Sequence, residues 1–189
     1  MLGKRLYRIV VLCFVLHLSG VFSGADTTKT ADMKTIAAAG HVNSKEYENS
    51  YFGVSVQLPQ PNDELKLNTL VSDNRAILLL ALSESHQFAI VTHSNAGIQE
   101  PVSTAVFVRS VRHQLESEGL KTVKMEVPVL IGGHEFIQSD LKMESKDQRY
   151  WKAVMFTQIK GNMFGFWMET KSQADLNEIT KLDGRVRFR

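Results

Sequence analysis

At 189 residues the chain has room for one ordinary domain and a short extension, and a second full domain does not fit. Its 43% apolar and 22% charged residues exclude a disordered or fibrous protein. The formal charge of +2 includes Lys4, Arg5 and Arg8, and without them it is about −1. No clustered basic footprint remains, so the charge-based case for nucleic-acid binding disappears.

Those three basic residues open a secretory signal. They precede an apolar core at 9–18 and the small residues Ser23-Gly24-Ala25, with Ser at −3 and Ala at −1 of a cleavage expected after Ala25. The alternative is an uncleaved anchor, but a spanning helix needs about 20 apolar residues and this core is shorter. Cys13, the only cysteine, lies inside the core, where Phe14, Val15 and Leu16 continue the run; a lipoprotein cysteine would follow it. The mature chain therefore has no thiol for a disulfide, a nucleophile or a metal, which suits an oxidising compartment. No other segment approaches transmembrane length. The expected organisation is a signal peptide at 1–25, a flexible arm at 26–46 and a single domain at 47–189, exported to the periplasm or secreted.

The arm is rich in Thr, Ala and Lys and offers little besides Met33 and Ile36 for burial, although 31–39 suits a weak helix. Residues 51–58 alternate Phe52, Val54, Val56 and Leu58 against Tyr51, Gly53, Ser55 and Gln57, the pattern of a half-buried strand that Pro59 and Pro61 close. Residues 62–74 carry Leu65, Leu67 and Leu70 without a readable period. Residues 76–82 are apolar on both alternating sets, as in a strand covered on both faces, and 83–85 turn it into a strand at 87–93. Helical spacing follows at 103–118, with Thr104, Phe107 or Val108, Val111 and Leu115 on one side and Arg109, Arg112 and Glu116 on the other. Ser103 suits its N-cap, and Gly119-Leu120 its C-cap.

Strands at 123–131 and 134–143 flank Gly132-Gly133, a tight hairpin signal. Pro128 cannot donate to a ladder and places the first of them at an edge or a bulge. Two apolar runs then meet inside 149–170, and a turn at Gly161-Asn162 makes them a central hairpin. Pairing Lys160 with Met163 sets Phe164, Phe166 and Met168 beside Ile159, Thr157 and Met155 on one face, and Trp167 beside Phe156 on the other. Both faces are greasy, so both need a cover. Ser172 and Asp175 approximate a capping box for a short helix through Leu176, Ile179 and Leu182 to near Gly184, and 186–188 can add a last strand.

The chemistry is sparse. His86 and His93 are seven positions apart on one strand and so face opposite ways; His113 sits on the polar side of a helix; His134-Glu135 lacks the second histidine of a zinc protease. His93-Ser94-Asn95-Ala96-Gly97 has residue types of a serine hydrolase without the Gly-x-Ser-x-Gly spacing. Glu84, Asp140, Glu144 and Glu169 are dispersed and default to solvated surface. No phosphate loop is present, since the glycines sit in hairpins. The sequence thus names no catalytic, metal or cofactor-binding residue and no cofactor. Tyr150, Trp151 and Trp167 are the residues that would line an apolar ligand pocket, if they are not core.

The domain resembles the PsbP-like family, which includes a photosystem II extrinsic subunit, a Ran-binding import factor and many exported bacterial proteins. The likeness rests on Tyr47, Asn49, Tyr51-Phe52-Gly53-Val54-Ser55-Val56, Leu58-Pro59, the aromatic strands around Lys160-Gly161-Asn162, the helix from Ser172 and the closing Arg187-Phe188. The chain departs from it at Gln60-Pro61. The resemblance implies an α+β fold, a three-layer α/β/α sandwich with a mainly antiparallel sheet, and carries no catalytic residue. The expectation is an exported, non-enzymatic accessory or binding protein of the cell envelope. Its partner would be an envelope protein or a small apolar ligand; the alternatives are a small extracytoplasmic hydrolase and a carrier of a small apolar ligand.

Overall fold

The computed structural model describes residues 31–43, 46–58, 63–95, 102–146 and 148–189, so the expected signal peptide lies outside the described residues. In chain order these form α1 (Met33–Ala38), β1 (Gly40–Asn43), β2 (Glu46–Asn49), β3 (Val54–Gln57), β4 (Glu64–Val71), β5 (Arg75–Leu82) and β6 (His86–Ser94). Then come α2 (Thr104–Ser117), β7 (Lys121–Ile131), β8 (His134–Glu144), β9 (Arg149–Ile159), β10 (Asn162–Thr170), α3 (Gln173–Ile179) and β11 (Val186–Phe188). A seven-stranded sheet runs β4-β5-β6-β10-β9-β8-β7 and a smaller one runs β1-β2-β3-β11. Every described neighbour pair is antiparallel, which makes the fold α+β with few and short helices.

The central hairpin is β9-β10, but its turn is not where the glycine-asparagine pair suggested. Lys160 and Gly161 both have positive φ, 50° and 77°, as a type I′ turn requires of its two central residues. Asn162 is instead the first residue of β10 and stands opposite Ile159. Its buried amide donates to the Lys160 carbonyl and to the Tyr51 hydroxyl, each at 3.1 Å, an arrangement that a turn position would forfeit. The partners are thereby corrected: Phe164 faces Thr157, Phe166 faces Met155, Met168 faces Ala153 and Trp167 faces Val154. The slip is two residues along β9, and a slip of two leaves every side chain on its expected face.

Those faces carry two separate cores. Phe88, Phe136, Met155, Phe164 and Phe166 pack on one side with Ile36 of α1, Leu176 of α3 and Val56 and Val186 of the small sheet. Ile77, Leu141, Val154, Phe156 and Trp167 pack on the other under Phe107, Val108, Val111 and Leu115 of α2. The small sheet and two helices together cover the first face, whereas α2 packs alone among the described elements against the second. Each fully buried large apolar side chain contributes about 1.5–3 kcal/mol, so both covers are held mainly by this stripe-on-sheet contact.

The expected helix at 103–118 forms as α2 because both of its ends are satisfied. The Ser103 side chain accepts from Val106 N–H at 3.3 Å. At the other end Gly119 has φ 95°, and the N–H groups of Gly119 and Leu120 reach back to Glu116 and Leu115 carbonyls at 2.9 and 3.1 Å, a Schellman closure. Ser172 caps α3 in the same way, accepting from Asp175 N–H at 3.1 Å while its hydroxyl donates to the Asp175 carboxylate at 2.7 Å. That helix stops at Ile179 rather than near Gly184, yet Leu182 is still buried.

Two other expectations are corrected. Where it is described, the arm is folded: Met33, Ile36 and Ala37 stand at helical spacing, all buried, and the Asn49 amide ties the Ile36 carbonyl at 3.0 Å. Two large apolar residues and an alanine suffice because β4 and β5 supply the seat and Asn49 of β2 the tie. The strand expected at 51–58 is only β3; Tyr51, Phe52 and Gly53 form a turn, with Gly53 at φ 65° and its carbonyl accepting from Arg189 N–H at 2.8 Å. The unreadable stretch at 62–74 is β4, whose pairing with β5 slips between Leu67 and Leu70 and so breaks any simple alternation. Pro128 does sit at an edge, since β7 ends the large sheet.

Candidate functional site

Three places on this frame bring polar or exposed groups together. The first is the turn between β5 and β6. Ser83 opens it, and the Ser83 hydroxyl oxygen accepts from the N–H groups of Ser85 and His86 at 3.2 and 3.0 Å. The same oxygen lies 2.8 Å from His86 Nδ1, and His86 Nε2 lies 3.0 Å from Asp63 Oδ2. Nε2–H donating to the Asp63 carboxylate leaves Nδ1 free to accept the Ser83 hydroxyl proton, which the His86 carbonyl at 3.3 Å can also accept. The imidazole and the carboxylate are both buried.

A Ser, a His and an Asp in a chain are the parts of acyl-transfer catalysis, and the sequence did not announce them. Ser83 and Ser85 look like turn residues, and Asp63 comes from the stretch without a readable period. Geometry decides what the trio can do. A serine nucleophile must point its oxygen lone pairs at a substrate carbonyl with a base behind it. Here the Ser83 oxygen is spent on two backbone N–H groups of its own turn, and both ring nitrogens of His86 are taken. The trio fastens the β5-β6 turn to the start of β4. Beside it lies a cleft of about 280 Å³ lined by Ser85, His86, Thr170, Asp175, Glu178 and Arg185. Its carboxylates are already engaged, Asp175 by the Ser172 hydroxyl and Glu178 by Lys181 at 2.6 Å.

The second place is on the α2 side of the central hairpin. Lys152 and Glu169 are cross-strand partners, with Nζ 3.1 Å from Oε2, and both side chains are at most 2% exposed. The ammonium lies 4.8 Å from the Trp167 ring and 5.4 Å from the Tyr150 ring, so two aromatic faces help to solvate the cation. Burial first, then the Glu169 and Glu118 charges, pushes the Tyr150 phenol up to about 12. Glu169 is therefore not the solvated carboxylate the sequence suggested. The turn misplacement hid it: counted from Gly161-Asn162, Lys152 would face Lys171, and only the observed register brings lysine to glutamate.

Of the three aromatics singled out from the sequence, Tyr150 and Trp167 join that α2-side core, while Trp151 is half-buried on the opposite face with Lys142 Nζ 5.6 Å from its ring. His86 and His93 lie on opposite faces of β6, as their spacing required: His86 is clear of α2, and the His93 ring is 5.5 Å from Phe107 of α2. Among the described residues no three His, Cys, Asp or Glu side chains converge as a metal site would need. No described helix is long and apolar enough to cross a membrane.

The third place is the outer edge, β7. Val123, Met125, Val127 and Leu130 are exposed along it, Met125 and Leu130 by 64% and 68%. Val106 of α2 is exposed as well. The strand is braced from behind: Glu126 accepts from Arg112 Nε at 2.7 Å, and Glu116 accepts from Arg112 Nη1 and from Thr122 at 2.8 and 2.6 Å. Arg112, expected on the open side of its helix, is thus buried, and its pKa is raised chiefly by the Glu126 hydrogen bond.

No protein-family model matches the chain. No curated protein matches its sequence. Among solved structures it is similar to cyanobacterial PsbP (CyanoP) from Synechocystis sp. PCC 6803, at 8% identity and a TM-score of 0.54 over 88% of this chain and 98% of that one. It is also similar to the T6SS immunity protein TplEi of Pseudomonas aeruginosa, solved with an "L" peptide, at 12% identity and a TM-score of 0.44 over 72% and 59% of the two chains. A third likeness is to LpqN, involved in cell envelope biogenesis of Mycobacterium tuberculosis, at 10% identity and a TM-score of 0.40 over 68% and 86%. Only the first spans nearly the whole of both chains, and at its identity it speaks for the architecture alone: the chain has a PsbP-like fold.

Proposed function

We propose that the chain is an exported, non-catalytic binding protein of the periplasm or cell envelope, built as a PsbP-like three-layer sandwich that engages a protein partner along β7. The observation that carries this reading is the set of exposed apolar side chains on one braced edge strand, Val123, Met125, Val127 and Leu130, with Leu130 on the opposite face of the sheet from Val127. Apolar residues exposed singly need no explanation, whereas four on one braced edge strand give a partner an apolar rim to grip. Lys121, Lys124, Pro128 and two irregularities in the β7-β8 pairing guard the edge against indiscriminate strand addition. Side-chain contact is therefore the mode of binding, and the leader expected at 1–25 supplies the route out of the cytoplasm.

One observation favours a second reading, that of a small hydrolase: the Ser83–His86–Asp63 chain beside a cleft. The two backbone hydrogen bonds to the Ser83 oxygen weigh against it. The carrier reading is weakest, because Tyr150 and Trp167 are packed as core.

A photo-crosslinking residue at Met125 in the exporting cell tests the proposal. The expected result is one dominant envelope protein, lost in a Leu130→Lys variant that still folds, together with an intact mass lacking residues 1–25. A fluorophosphonate label on the wild-type protein that disappears in Ser83→Ala, with no crosslinked envelope species, would replace the proposal with the hydrolase.

A further inference from the structure

Two polar side chains at one end of β5 and β6 hold buried atoms with no hydrogen-bond partner among the described residues. Arg75, the first residue of β5, is 8% exposed, and its guanidinium Nε and Nη1 have no hydrogen-bond partner among the described residues. Burial pulls its pKa below the ordinary arginine value. The Asn95 side chain, just past β6, has no hydrogen-bond partner among the described residues at either Nδ2 or Oδ1. The two are held together by the backbone, since Ser94 N–H donates to the Asn74 carbonyl at 2.7 Å; one residue on from each end of that bond stand Asn95 and Arg75.

His93 completes the group. It is the cross-strand partner of Arg75 and, like it, lies on the α2 side of the sheet. Its Nδ1 is 2.9 Å from the Ser94 carbonyl, which fixes the proton on Nδ1 and leaves Nε2 as an acceptor. Phe107, in the second turn of α2, packs on the ring, so the group sits near the positive end of that helix.

A buried guanidinium without a counter-charge is costly, and proteins keep one where an anion comes to it. The set here is specific in what it asks for. Arg75 offers planar donors to a carboxylate. The Asn95 amide offers one donor side and one acceptor side, and the neutral His93 ring offers an acceptor. A bare inorganic anion satisfies only the donors. We propose that Arg75, His93 and Asn95 form a binding site for a carboxylate with an N–H beside it, the chemistry of a peptide C-terminus. The site lies on the α2 side of the sheet and is independent of any partner on β7.

The test uses the mature chain, labelled for NMR at the arginine Nε–H and the histidine ring. It is titrated at constant ionic strength with acetyl-dialanine, its C-terminal amide, N-acetylglycine and inorganic phosphate. The expected result is a saturable shift of the Arg75 and His93 signals with the free acid and binding at least about tenfold weaker with the amide. N-acetylglycine matching the dipeptide would assign a small acyl amino acid as the ligand, and a tighter dipeptide would assign the end of a chain. Arg75→Met should abolish binding and raise the melting temperature of the ligand-free protein, because it removes an uncompensated charge. Asn95→Ala, which leaves the sheet untouched, should narrow the gap between acid and amide. Equal binding of acid and amide, binding of phosphate alone, no saturable shift, or a melting temperature lowered by Arg75→Met would each overturn the site.

Discussion

The two faces of the large sheet are made from the same strands and solve burial differently. On the side of α1, α3 and the small sheet, the central hairpin presents Phe164, Phe166 and Met168, all fully buried and all apolar. On the α2 side, one residue along each strand, it presents Met163 and Trp167 together with the Lys152–Glu169 pair, and β5 and β6 add Arg75 and His93. The first face is held by packing that needs no partner to be correct. The second carries buried ionisable groups whose cost depends on their partners, which Lys152 and Glu169 supply to each other.

The largest effect expected from breaking this contrast is on the apolar face. Phe166→Ala should cost about 3–5 kcal/mol in urea unfolding, because Phe88, Phe136 and Phe164 surround the ring and cannot collapse onto the space. On the other face, Glu169→Leu alone strands a buried ammonium and should cost a comparable amount, about 3 kcal/mol or more. The sharper experiment is the double variant Lys152→Met with Glu169→Leu. It should recover most of that loss, whereas no second substitution on the apolar face rescues Phe166→Ala; additive losses in the double variant would show that the two faces are held alike.

Smaller effects mark how α2 is attached. Removing the Ser103 cap with Ser103→Ala should cost about 1 kcal/mol, visible as a lower denaturation midpoint with unchanged slope. The pH dependence should be gentler still. Burial holds the His93 pKa below its ordinary 6.5, with the Arg75 charge lowering it further. The unfolded chain then binds a proton that the folded one does not, so this contribution is intact above pH 6.5 and is lost as the pH falls below it. His93→Gln should flatten the profile in that window; an unchanged profile would mean that His93 is not the group responsible.

Local rules carried the sequence reading a long way. Both tight hairpins, the capped helix with its Schellman glycine, the edge position of the Pro128 strand and the two-sided burial of 149–170 follow from turn chemistry and periodicity over a few residues. The misreadings share a cause as well. Asn162 looks like a turn residue until Tyr51 reaches it from far away in the chain. The weak helix at Met33 looks unanchored until β4 and β5 receive it. Asp63 has no visible role until it meets His86.

What the sequence by itself determined about this protein is therefore the set of elements and which side of each strand is greasy, since the strand period of two survives even a misplaced turn. It also raised the expectation of a leader at 1–25 and pointed to the likeness to a fold. Only the tertiary structure decided which polar side chains are buried and with whom. Whether Glu169, Arg75 or Ser83 faces water, a charge or its own backbone depends on strand order and register across the whole sheet, and the burial of an ionisable group is a property of everything packed around it.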